Sequence, residues 1–124
     1  MDTWLIFIGA GLGGISRFGV SNLFSRLLGQ NFPYGTLLVN TLGSFLAGLF
    51  FVLIFDRFSG IANHLRPFLL TGLLGGFTTF STFSLETMNL FETNGWGLAM
   101  LNAMLNCMLC LLMAWLGIWG GRQL

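Results

Sequence analysis

Polar residues inside long apolar runs carry most of the chemistry this sequence can offer. Thr36, Asn40 and Ser44 recur every fourth residue, so a helix would place them on one face. Asn40 brings two amide donors and a carbonyl acceptor. Such a stripe has two readings: a hydrogen bond between helices, or a row of donors along a route for an anion. Asn102, Asn106 and Cys110 repeat the pattern further on, and the same two readings apply. Between them lies Gly75-Gly76-Phe77-Thr78-Thr79-Phe80-Ser81-Thr82-Phe83-Ser84, with two glycines, five hydroxyls and three phenylalanines. Paired glycines and β-branched residues make this a poor continuous helix. A helix broken at membrane depth is tolerated where it is buried in protein or lines a cavity. Its freed carbonyls can hold a cation, and its half-helix N-terminus favours an anion. Phe80 and Phe83 fall on neighbouring positions of one helix face, and an aromatic ring has an electropositive edge. Two charges complete the set. Arg17 stands about 20 Å along the first helix from Trp4, placing its guanidinium either at the opposite mouth by snorkelling or in a structural pairing with phosphates or helix-end carbonyls. Glu86 lies at the far end of the third apolar run.

The elements that must position these groups are membrane helices. Of 124 residues, 55% are hydrophobic and 7% charged, with mean hydropathy +0.83. A soluble domain carries about 25% charged residues. A span needs about 20 mostly apolar residues. Four fit: Trp4 to about Leu28, about Tyr34 to Phe55, a third opening at Pro67, and a fourth from after Asn94-Gly95 to Gly120-Gly121-Arg122. The whole chain, 1–124, reads as one four-helix transmembrane domain. Asp56 to Arg66 reads as a polar link, with His64 a solvated loop residue. Trp4, Tyr34, Trp96 and Trp119 fall near the ends as interfacial anchors. The first run lacks a basic leader and a small-residue cleavage site, so it reads as a retained span. Small residues pair at close-packing spacing: Gly9 with Gly13, Ser44 with Gly48, Gly72 with Gly76, Gly117 with Gly121. Four helices enclose little interior by themselves, so an oligomer is expected.

Several function classes fall away. Gly9-Ala10-Gly11-Leu12-Gly13-Gly14 matches the dinucleotide pattern, but no acid lies between Asp2 and Asp56 to hold a ribose. The five arginines are dispersed, which gives no nucleic-acid patch. Cys107 and Cys110 read as small helix-packing residues. No nucleophile–base or metal constellation suggests an enzyme. The cytoplasmic side of the membrane attracts basic loops; Arg57, Arg66 and Arg122 on the termini's side outnumber Arg26 opposite by a thin margin.

The segments Gly13 to Phe18, Gly35 to Phe45 and Gly75 to Ser84 resemble the Fluc-type fluoride channels of the CrcB family, and the likeness runs along essentially the whole chain. The resemblance implies an all-α antiparallel, dual-topology homodimer with two fluoride pathways along the subunit interface, in a bacterial inner membrane. It implies that Asn40 lines a pore and that Phe80 and Phe83 are the aromatic pair whose edges flank fluoride, contributed by different subunits. It implies a central structural sodium ion on the backbone carbonyls of Gly75 and Thr78, with Arg17 as the span-one arginine. Ser81, Thr82, Ser84 and Glu86 would continue a polar track toward the mouth; Ser44, Asn106 and Cys110 would line the pore from the second and fourth spans. The fourth span departs from the family's pattern, having asparagines and a cysteine where serines and a tyrosine are expected. Two other readings remain: a small proton-coupled multidrug exporter, which needs a glutamate that the first span lacks, and a non-transporting assembly subunit.

Overall fold

The computed structural model describes residues 2–124 and is all-helical among them. Helix α1 spans Asp2–Leu28 and α2 spans Tyr34–Asp56. The third crossing is made of two half-helices. The first, α3 (62–77), follows a short 3-10 turn at Ser59–Ile61 and is wound as a π-helix over Arg66–Leu74. The second, α4, spans Ser81–Asn94 and ends at Gly95, whose φ of +80° turns the chain into α5, Trp96–Gln123. All four crossings are long and apolar enough to traverse a bilayer. Their outward apolar side chains (Phe7, Ile15, Phe18 and Leu111 among them) are exposed, as a lipid solvent allows. Trp4, Tyr34, Trp96 and Trp119 sit near helix ends with exposed rings, where their amphipathic rings meet headgroups.

The connection after α2 differs from the expected polar link. Only Arg57 and Phe58 are outside helical structure, and the third crossing has begun eight residues before Pro67. Pro67 instead falls inside α3, at the start of the π-helical stretch, where its missing N–H withdraws one bond from the regular helical ladder. His64 is exposed, as expected, but on helix rather than loop.

Glycines set how the crossings pack. A Cβ on Gly9 or Gly13 would run into the backbone of residues 68–77, and one on Gly76 into Ala10. On the other side, Gly48 meets the backbone of Ala114 and Ile118, and Gly117 meets Phe45 and Leu49. The molecule is therefore two tight helix pairs, α1 with α3 and α2 with α5. Without a hydrophobic force between helices in lipid, such backbone contact is what holds them together. Half-helix α4 leaves the α1–α3 pair and packs on α5, where Leu90, Ala99, Leu98 and Leu105 share a core with Phe32 and Leu37.

Candidate functional site

Helix α3 ends at Phe77 because Thr78 is extended, at φ −86° and ψ 159°. The Thr78 hydroxyl donates back to the Leu74 carbonyl at 3.0 Å. Thr79 then leaves the helical ladder: its N–H donates to Asn40 Oδ1 at 2.9 Å and its carbonyl accepts from Asn40 Nδ2 at 3.0 Å. One side-chain amide thus satisfies both main-chain polar groups of Thr79 at the break, where the helix no longer does. The Gly75 carbonyl loses the amide that would have continued the helix.

The two ends at the break are finished differently. Arg17 Nε donates to the Gly76 carbonyl at 3.1 Å, which puts a cation on the negative end of α3. Of the two sequence readings for Arg17, helix-end pairing describes this contact; its charge lies beside the break. The N-terminus of α4 is tied by Thr79 Oγ1, which accepts from the Thr82 N–H at 3.2 Å. Ser84 Oγ donates to the Phe80 carbonyl at 2.9 Å.

A cleft of about 530 Å³ opens beside the break. From the broken crossing it is lined by Gly75, Thr78, Thr79, Phe80 and Phe83; from α2 by Asn40 and Ser44; from α5 by Asn106, Cys107 and Cys110. Eight of the residues singled out in sequence therefore share one wall: Asn40, Ser44, Gly75, Thr78, Phe80, Phe83, Asn106 and Cys110. The Phe80 and Phe83 rings meet within one chain, centroids 5.4 Å apart and tilted by 52°. Phe83 is buried at 9% exposure, whereas Phe80 stands 76% exposed. One ring is fixed in the protein and the other is offered outward. The Ser44 hydroxyl lies beside the Cys110 thiol.

Arg17, Ser81, Thr82, Ser84 and Glu86 do not line the cleft. Ser81 and Thr82 begin α4 beside it, and Glu86 lies more than a turn further on. Glu86 has Thr36 near its carboxyl, while its Oε1 is buried with no hydrogen-bond partner among the described residues.

Asn40 is more engaged than a free pore donor. Its second Nδ2 hydrogen goes to Asn106 Oδ1 at 3.2 Å, so both readings of the stripe meet in one residue that bonds helices and lines the cleft. Sequence reasoning did not single out Thr79 as Asn40's partner, nor Thr87, which accepts from Asn102 Nδ2 at 2.9 Å. Thr87 follows Phe83 by one turn, and that spacing was the available signal. Cys107, read as packing, is exposed on the cleft.

Comparison with known proteins gives the family. The family model described as CrcB-like protein, Camphor Resistance (CrcB), matches residues 4–118. The chain belongs to the CrcB family. A CrcB-family relative from Coxiella burnetii is 52% identical over 124 residues, covering all of both chains. One from Magnetococcus marinus is 47% identical over 117 residues, 94% of each. One from Legionella pneumophila is 46% identical over 112 residues, 90% of this chain and 83% of the relative. Each bears the name Fluoride-specific ion channel FluC.

Proposed function

We propose that this CrcB-family protein is a passive fluoride channel of a bacterial inner membrane, lowering cytoplasmic fluoride. The observation that carries the reading is the cleft, where a broken helix, the Phe80–Phe83 pair and Asn40 converge in a chain whose relatives are named fluoride channels. Fluoride is a small, strongly hydrated anion, and stripping its water needs replacement by donors. The N-terminus of α4 supplies a positive dipole end. The ring edges of Phe80 and Phe83 tolerate the anion without holding it hard. Asn40 contributes its Nδ2 hydrogen by exchanging the 3.2 Å bond to Asn106 for one to the anion. Ser44 and Cys110 extend the lining, and Ser81, Thr82, Ser84 and Glu86 extend the polar track. Hydrogen fluoride enters cells neutral and ionises inside; a negative interior then drives the anion outward through a passive path.

The working unit is an antiparallel homodimer with two pathways. A cleft open on one side, with Phe80 76% exposed beside it, calls for a second surface, and a second copy in the opposite orientation offers the same donors and rings. The family's structural sodium fits the chemistry present. Gly75 and Thr78 both line the cleft, the break frees the Gly75 carbonyl, and Arg17 takes Gly76 instead. Neutral oxygens are the ligands a hard cation accepts. One chain offers few of them, so two copies would share the ion, which would supply a fixed positive charge at the dimer centre.

A multidrug exporter would need a carboxylate deep in α1, and beyond Asp2 that helix has none. A mere assembly subunit has no use for a cleft that gathers Asn40, Ser44 and Asn106 at a helix break. Growth in fluoride of a bacterium stripped of its own fluoride export tests the proposal. The wild-type chain restores growth and Phe80→Ile does not; equal sensitivity with and without the expressed chain would refute it.

A further inference from the structure

Hydrogen bonds run in one continuous circuit from the helix break, through α2 and α5, and back into α4. From the Thr79 peptide, Asn40 donates to Asn106 Oδ1 at 3.2 Å. Asn106 Nδ2 donates to both the carbonyl and Oδ1 of Asn102 at 3.0 Å. Asn102 Nδ2 donates to Thr87 Oγ1 at 2.9 Å, and the Thr87 hydroxyl donates to the Phe83 carbonyl at 2.7 Å. The circuit leaves the broken crossing at Thr79 and returns to it at Phe83, enclosing Phe80 and Phe83 between its two ends.

Its direction is determined at every step. Turning the Asn40 amide over would set donor against donor and acceptor against acceptor at the Thr79 peptide. With Nδ2 thus facing Asn106, Asn106 must present its oxygen to Asn40 and its nitrogen to Asn102. Asn102 in turn must donate to Thr87, which leaves the hydroxyl hydrogen for Phe83. The middle of the circuit is dry, with Asn102 1% and Asn106 4% exposed, so water does not substitute for a broken link. Buried networks that are fully satisfied in this way fix one arrangement of the groups they join.

We propose that Asn102 and Thr87, neither of which lines the cleft, are positioning residues for the aromatic wall: through this circuit they hold Phe80 and Phe83 in register with the Thr79 clip. The claim rests on the fluoride-channel reading for its functional consequence, and on the bonds alone for its structural one. Thr87→Val keeps the side-chain shape and removes the hydroxyl, whereas Thr87→Ser keeps the hydroxyl. Two quantities are read on each purified protein: maximal fluoride efflux from liposomes, and hydrogen exchange of the Thr79 amide.

Thr87→Val slows efflux about tenfold and speeds Thr79 exchange by a similar factor, as expected when one buried link is lost. Thr87→Ser stays within about twofold of wild type in both. Asn102→Leu combined with Thr87→Val slows efflux by less than the product of the two single effects, because the Asn102–Thr87 link is lost in each. Should Thr87→Val fail to assemble, Thr87→Ala, which adds no bulk, enters the same comparison. Unchanged Thr79 exchange in the hydroxyl-less variant overturns the circuit. Faster exchange with undiminished efflux overturns the positioning role, as does a serine variant as slow as valine. A wild type that passes no fluoride overturns the channel reading and the positioning role with it, while Thr79 exchange still decides whether Thr87 and the break are coupled.

Discussion

Asn40 does two jobs with one amide, and its loss separates them. Asn40→Leu leaves the part-buried Thr79 N–H and carbonyl without their partner, at up to about 1–3 kcal/mol for each group. The expected outcome is a markedly lower unfolding temperature in detergent together with lost efflux; an unchanged melting curve would mean that the clip is idle. Cys107 and Cys110 report on the cleft from α5. Both are free thiols on its lining, so a charged methanethiosulfonate reagent slows efflux of the wild type and leaves the Cys107→Ser/Cys110→Ser double variant untouched. Wild-type efflux unchanged by the reagent would place the route elsewhere. At this scale the sequence was legible by face but not by partner. The i, i+4 spacing of Thr36, Asn40 and Ser44 says which side of a helix they share, and says nothing of what stands opposite. For that reason Asn40 was recognised while its mate Thr79, a main-chain group with no side-chain signature, was not. Arg17 illustrates the same limit: its depth along α1 was plain, and only the packed structure chose the Gly76 carbonyl.

At the scale of the element, the helix break and the glycine contacts are the parts under test. Glycines facing backbone and glycines facing open space differ sharply here. Gly117→Ala drives a Cβ into the Phe45 carbonyl, whereas Gly11→Ala meets nothing within 4 Å. The first costs about 1–3 kcal/mol through forced backbone movement, and the second stays near neutral or gains slightly from better helix propensity. Thermal unfolding of the two variants side by side checks this, and equal melting temperatures would contradict the α2–α5 packing. The proposed sodium ion is tested at the break as well. Replacing sodium by N-methylglucamine during purification lowers stability or efflux if the Gly75 and Thr78 carbonyls hold the ion; indifference to sodium would leave those carbonyls without that role. The broken crossing was readable from Gly75-Gly76 followed by β-branched residues, because local propensity opposes a helix there. The π-helical winding of Arg66–Leu74 was not, since α- and π-helices draw on the same residues and differ only in how the chain is wound. The helical start at Ser59–Ile61 was also hidden, because polar residues at a membrane surface suit helix and loop alike.

At the scale of the molecule, the four crossings follow directly from composition: runs of 20 or more apolar residues have few other outcomes in water or lipid. What composition does not contain is the assembly. The exposed cleft, the outward Phe80 ring and the near-balanced arginines at the two ends are consistent with two copies inserted oppositely, and the proposed function depends on that pairing to close the path. The central claim is that the cleft at the helix break conducts fluoride. Its most direct test is efflux from liposomes holding the purified protein, read with a fluoride electrode, with chloride as control and Phe80→Ile alongside. The account predicts rapid fluoride release, no chloride release, and a slowed variant. Well-folded protein that releases neither ion, or a Phe80→Ile variant as fast as wild type, would contradict it.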